Sequence, residues 1–234
     1  MVSKKSTRTI FLDACSEISN LLKDKTFKVL QNGQKLKKVS VNKDLIYEIY
    51  FQSSYRNSDL DIRVLPHINI YSKKLQDWQI KQTGNQHSQG TVYSNTLGYI
   101  SPCGYRNWNV AGMSGIVEIN QIAELINNYA LPIFNLFDNI QNAIAFLKVN
   151  GTRFNNYSEK SIMPLDFLIY YAKKIESEQF FNDFINSCSY KGRLISLYKE
   201  LETRKNIDLN YSEFHGANKV KLAFINGLKI DAKE

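Results

Sequence analysis

The sequence predicts an α+β protein: an antiparallel meander of about five strands, covered by an N-terminal helix and later helices and followed by an all-helical C-terminal tail. Three observations predict it. Apolar residues recur at helical spacing between Ile10 and Leu22. Runs alternating with a period of two, joined by short turns, fill the stretch from Phe27 to Tyr71. Beyond Ser158 only helical spacing remains. A chain of 234 residues buries about 72% of its unfolded surface, enough for a core without disulfide or metal staples. The 43% apolar and 22% charged fractions exclude a disordered, collagenous or fibrous chain.

Ser6 or Thr7 can cap the first helix, whose stripe is Ile10, Phe11, Ala14, Ile18, Leu21 and Leu22, ending near Lys25. Phe27–Leu30 reads as a short strand, and Asn32-Gly33 is the strongest hairpin signal in the chain. In the return strand, Lys37-Lys38 breaks the alternation and predicts a bulge. Leu45 to Ser53 puts Leu45, Tyr47, Ile49 and Phe51 on one face and Ile46, Glu48, Tyr50 and Gln52 on the other. Ile62 to Tyr71 gives a fourth strand, in which Pro66 predicts an edge or a bulge because it cannot donate to a ladder. The connections are too short for parallel crossovers.

A short helix is expected over 73–80, a polar loop over 82–90, a fifth strand over Thr91–Ile100 and a turn at Ser101–Gly104. Ile119, Ile122, Ala123 and Ile126 mark a helix, and a second opens at Pro132 and runs to Leu147, kinked near Asp138-Asn139. Asn155–Ser158 reads as a linker. Four stripes follow, the first from Leu165 to Ile175 and the second capped by Ser177. The expected organisation is an α+β sheet domain over 1–150 and a helical subdomain over 159–234 packed on it.

No apolar run exceeds six residues, against about twenty for a membrane-spanning helix. The stretch Ile10–Leu12 is too short for a signal peptide. Cys15, Cys103 and Cys188 lie far apart with no C-x-x-C pair, which predicts reduced thiols and a cytoplasmic protein. The net charge of +8 is uneven: residues 1–43 hold ten Lys/Arg and three Asp/Glu. Lys28, Lys35, Lys37, Lys38 and Lys43 form the expected basic patch, suited to an acidic protein or a polyanion. Spaced lysines also guard strand edges against pairing.

Chemistry-bearing patterns are sparse. Three histidines without His-x-x-x-His, no two-cysteine knuckle and no Asp-rich loop predict no metal, and the missing phosphate loop predicts no nucleotide cofactor. A nucleophilic hydrolase could use His87 or Cys103, with Arg106 as oxyanion partner. A strand over Thr91–Ile100 would hold the two apart by about 33 Å. The segment 84–115 has the composition of a recognition surface. With Trp78, its residues His87, Tyr93, Tyr105, Arg106 and Trp108 are the candidate partner-binding set. The competing expectation is a hairpin that packs these rings inward, with Trp108 in the core.

The order of helix, Phe27-Lys-Val-Leu strand, Gly33-Gln-Lys-Leu-Lys-Lys hairpin and Ile46-Tyr-Glu-Ile-Tyr-Phe-Gln-Ser-Ser54 strand resembles the bacterial domain of unknown function DUF4304 over residues 7–148. Thr26 stands where that pattern has Gly, and Leu36 where it has an aromatic residue. The resemblance implies a bacterial cytosolic α+β protein without an assigned activity, and no catalytic residues are carried over. The expected function is a non-enzymatic protein-binding module of immunity or defence type. The alternatives are nucleic-acid binding through the basic N-terminal face, or the His87/Cys103 hydrolase.

Overall fold

The computed structural model describes residues 5–231. It is an α+β protein: a six-stranded antiparallel sheet, an N-terminal helix and a helix-rich remainder. Helix α1 (Thr7–Leu21) starts where Ser6 accepts a hydrogen bond from the Thr9 amide at 3.1 Å. Strands β1 (Lys28–Leu30), β2 (Lys35–Val39), β3 (Leu45–Ser53), β4 (Arg63–Ser72) and β5 (Thr91–Thr96) follow one another in the sheet, and β6 (Trp108–Asn109) pairs with β4. Gly33 closes the first hairpin at φ +83°, where an added Cβ would lie 2.6 Å from the Ser16 backbone nitrogen. That close approach seats the hairpin on α1.

The register of β2 on β3 runs without interruption from Lys35↔Tyr50 to Val39↔Ile46, so the bulge expected at Lys37-Lys38 is absent. Lys38 instead shares the inward face with Tyr47 and is half-buried, since a long aliphatic stem can lie on apolar surface while its ammonium reaches water. Pro66 is not at an edge, because β4 lies between β3 and β5. It lies where β4 changes partner, between the β6 pairing at Arg63 and Val64 and the hydrogen bond from the Leu97 amide to the Pro66 carbonyl, so its missing N–H breaks no continuous ladder. The fifth strand stops at Thr96 and a 3₁₀ turn over Gly98–Ile100 follows. The Gly104 carbonyl fills the space where a Gly98 Cβ would stand.

Two compact units interleave along the chain. The first holds the residues up to Ile70, Ser94–Asp138 and Asn155–Ser158; the second holds Tyr71–Tyr93, Asn139–Phe154 and the residues from Glu159 onward. The chain crosses from one unit to the other several times along its length. Helix α2 (Lys73–Thr83) packs on α6 (Leu165–Tyr171), and α5 (Ile140–Asn150) packs on α6 and α7 (Lys174–Ser187). Asn155–Ser158 is likewise no free linker, because the Asn155 amide donates to the Ile100 carbonyl at 2.9 Å and Tyr157 packs edge-on against Tyr129.

In the first unit, Leu36, Tyr47, Ile49, Phe51, Val64 and Ile68 bury the inner sheet face. Phe11, Ala14, Cys15 and Ile18 supply the buried stripe of α1. Helix α3 (Gly115–Leu125), a π-helical turn (Ile126–Ala130) and α4 (Leu131–Phe137) complete that core, with Phe134 stacked on Tyr47 at 4.9 Å. Cys15 is fully buried and its thiol is pushed up to about 12 by burial, an inert hydrophobe.

In the second unit, α6, α7, α8 (Lys191–Leu201) and α9 (Ala217–Ile225) pack around Phe167, Phe180, Phe181, Leu194 and Val220. The single stripe expected from Leu165 to Ile175 is two helices: α6 ends at Ala172, whose backbone is extended, and Ile175 is exposed. Ser177 lies inside α7. The cap is the Glu176 carboxylate, which accepts from the Lys173 amide at 3.1 Å. Lys221 is fully buried, and its ammonium donates to the carbonyls of Asp208 at 3.1 Å and Tyr211 at 2.8 Å and pairs with Glu213 at 2.8 Å. The two carbonyls accept hydrogen bonds, and the Glu213 carboxylate supplies the counter-charge.

Candidate functional site

The alternation that buries Tyr47, Ile49 and Phe51 turns the residues between them to the opposite face of the sheet. The register there aligns two cross-strand rows: Leu30, Lys35 and Tyr50 in one, Lys28, Lys37 and Glu48 in the other. Lys28 is exposed, and the remaining five side chains of these rows are half-buried. Lys28 and Lys37 are directly opposite each other, a like-charge pairing that disfavours the sheet. Glu48 is the carboxylate of these rows, and it sits 3.0 Å from Lys35. Two of the three lysines are thus left without a carboxylate partner among the described residues.

Tyr50 is the centre of this face. Lys35 Nζ lies 5.8 Å from its ring centroid, and the His67 ring on β4 lies 6.3 Å away. Gln34 fixes the phenol from behind: its amide nitrogen donates to Tyr50 Oη at 3.2 Å and to the Phe51 carbonyl at 3.1 Å, while its carbonyl accepts from Arg8 at 2.8 Å. His67 Nε2 is 2.7 Å from Gln52 Oε1, and burial lowers its pKa, so the ring adds surface and a hydrogen bond without a charge at neutral pH. At this end the face opens into a cleft of about 390 Å³ lined by Gln52, Ser53, Tyr55, Arg63, Leu65 and Tyr105. Tyr105 is 63% and Tyr55 88% exposed. Arg63 is held by Asp61 and by the Asn107 carbonyl.

The structure separates the expected partner-binding set. Trp108 and Tyr93 are core residues. Pairing of β6 with β4 at Val64↔Trp108 turns the indole inward, where its N–H donates to Gln121 at 3.1 Å. Tyr93 packs edge-on against Phe154 at 5.0 Å. Arg106 is committed as well, with both Glu118 oxygens within 2.9 Å and its guanidinium over the Trp108 ring. Tyr105 alone of the set lines the cleft beside the sheet. Trp78 is half-buried on α2 next to Tyr170, and His87 is exposed in the 84–90 loop; both belong to the second unit. Cys103 belongs to the first.

In the basic patch, Lys28, Lys35 and Lys37 share the open face. Lys38 is on the inward face, and Lys43 is exposed in the turn before β3 at φ +61°. Arg8, Gln34, Tyr50, Tyr55 and Arg63 were not among the expected site residues. Strand alternation places Tyr50 outward from sequence alone; Gln34 and Arg8 carry no such signal, because their contact spans 26 positions.

Among the described residues no group of three or more His, Cys, Asp or Glu is placed to hold a metal ion, and no helix is long and apolar enough to cross a membrane. No family model matches the chain, and no curated protein or solved structure matches it.

Proposed function

We propose that the chain is a non-enzymatic binding module whose first unit presents the Lys28–Lys35–Lys37–Tyr50 face to an acidic protein surface. The observation that carries this reading is the Lys28/Lys37 pairing: like charges directly opposed, next to an anchored ring, on a face with a single carboxylate among its two rows. An acidic partner supplies the missing counter-charge, and Tyr50, held by Gln34, offers contact area at little entropic cost. Tyr105 and Arg63 extend the surface into the adjoining cleft. A bacterial, cytoplasmic role of immunity or defence type belongs to the same proposal and rests on the resemblance of residues 7–148 to DUF4304.

Capture from lysate of the source organism, comparing wild type with a Lys28→Glu, Lys37→Glu, Tyr50→Ala variant, tests it. The expected result is a nuclease-resistant protein retained at low salt by wild type and lost by the variant. Identical retention by both would overturn the reading.

A second reading, single-stranded nucleic acid, is favoured by the neighbouring Tyr50 and His67 rings beside lysines, since rings stack bases and lysines neutralise phosphates. It requires oligonucleotide affinity that falls steeply with salt. Retained material that nuclease digests would favour it over the protein partner.

A further inference from the structure

A second cleft, of about 420 Å³, lies entirely within the second unit. Its floor is a chain of hydrogen bonds drawn from four separate segments. Ser88 donates to Gln79 Oε1, the Gln79 amide donates to Asp166 Oδ2 at 2.7 Å, and Lys219 closes on Asp166 Oδ1. Asp166 is buried, and both its oxygens are engaged inside the protein. The ammonium of Lys219 cancels its charge, so the floor is polar but electrically neutral. One of the three lysine protons goes to Asp166, which leaves donors free for an occupant.

The walls carry Gln89, Thr91 and Asn218, whose side-chain polar atoms have no hydrogen-bond partner among the described residues. A primary amide both donates and accepts, and a hydroxyl does the same. A narrow extension of about 50 Å³ shares Asp166 and Lys219 and is bounded by Trp78.

Charge selects against simple ions at such a floor. An anion meets the Asp166 carboxylate, a cation meets the Lys219 ammonium, and neither displaces the pair that is already made. What the cleft rewards is closely spaced, uncharged donors and acceptors, together with an apolar face for the indole edge. Vicinal hydroxyls on a pyranose ring have that pattern, and the ring's C–H face supplies the apolar side. We propose that this cleft binds a neutral saccharide of one or two rings.

Trp78 is one of two tryptophans in the chain, and the other, Trp108, is fully buried. Trp78 borders the narrow extension of the cleft, so a sugar-dependent change in emission that is lost in Trp78→Phe reports occupancy there. The experiment titrates glucose, galactose, mannose, N-acetylglucosamine, maltose and lactose, with calorimetry in parallel, and uses phosphate and acetate as the anionic comparison. The expected result is saturable binding of at least one sugar. Its fluorescence change disappears in Trp78→Phe, and its affinity falls about tenfold in the Gln89→Ala, Asn218→Ala double variant, for two lost hydrogen bonds. Both truncated residues are exposed, so the variant keeps its fold. No saturable sugar signal by either method, unchanged affinity in the double variant, or saturation by phosphate or acetate in place of sugar would each overturn the proposal.

Discussion

Tyr47 donates its phenolic proton to Asp138 Oδ1 at 2.9 Å, across 91 residues of sequence, and so ties the middle of the sheet to the end of α4. Burial, and then the bond to and charge of Asp138, push the phenol well above its ordinary pKa, so the hydroxyl remains a donor throughout the accessible pH range. Tyr47→Phe keeps the ring on Phe134 and removes only the donor. It is expected to cost about 1.5–3 kcal/mol, the range for a hydrogen bond to a charged group, read as a lower urea midpoint at unchanged slope. An unchanged midpoint would mean that water serves Asp138 equally well.

The opposed lysines of the open face make stability and binding move in opposite directions. Lys28→Glu converts a like-charge cross-strand pair with Lys37 into an opposite-charge pair. Thermal unfolding should show a gain of about 0.2–1 kcal/mol, while retention of an acidic partner falls. A variant that is less stable and binds less would point to a damaged hairpin and not to a face kept basic for a partner.

Glu213 should make the second unit sensitive to acid. Burial acts to raise its carboxyl, but hydrogen bonds from Lys221, the backbone and Arg204 outweigh it and hold the group at about 2, against an ordinary 4.5. A carboxyl depressed on folding contributes stability that is complete above the ordinary value and is lost as pH falls toward the folded one. The stability difference between wild type and Glu213→Gln should therefore shrink between pH 4.5 and 2. A difference that stays constant across that window would refute the assignment.

Trp108 and Tyr105 are three residues apart and should behave as opposites. Trp108→Ala empties a fully buried site and is expected to cost about 3–5 kcal/mol. Tyr105→Ala, at an exposed ring, should stay within about 0.5 kcal/mol. Equilibrium denaturation of both variants checks the pair, and comparable losses would contradict the placement of Tyr105 on the surface.

What the sequence made legible was local. Ser6 and Asn32-Gly33 announce their cap and turn because the chemistry is complete within a few residues, and the alternation of β3 reveals both its faces because each residue carries one bit of the pattern. Trp108 was ambiguous for the opposite reason: its strand is two residues long, too short for any period, and its inward turn depends on Val64 far upstream. The break after Tyr171 hid inside an apolar stripe that stays in phase across two helices. Lys37-Lys38 mimicked a bulge because one lysine uses its stem as apolar surface. Asp166 and Lys219, 53 positions apart, look like ordinary surface charges until the fold brings them together.

Gln34 couples the open face to the start of α1. Its amide is gripped from both sides, by the Arg8 guanidinium and by the Tyr50 hydroxyl. An occupant that captures the hydroxyl competes for that grip and slackens the hold on Arg8, the second residue of the helix. Exchange of the first amides of α1 with deuterated solvent is thus a gauge of occupancy on the open face of β3.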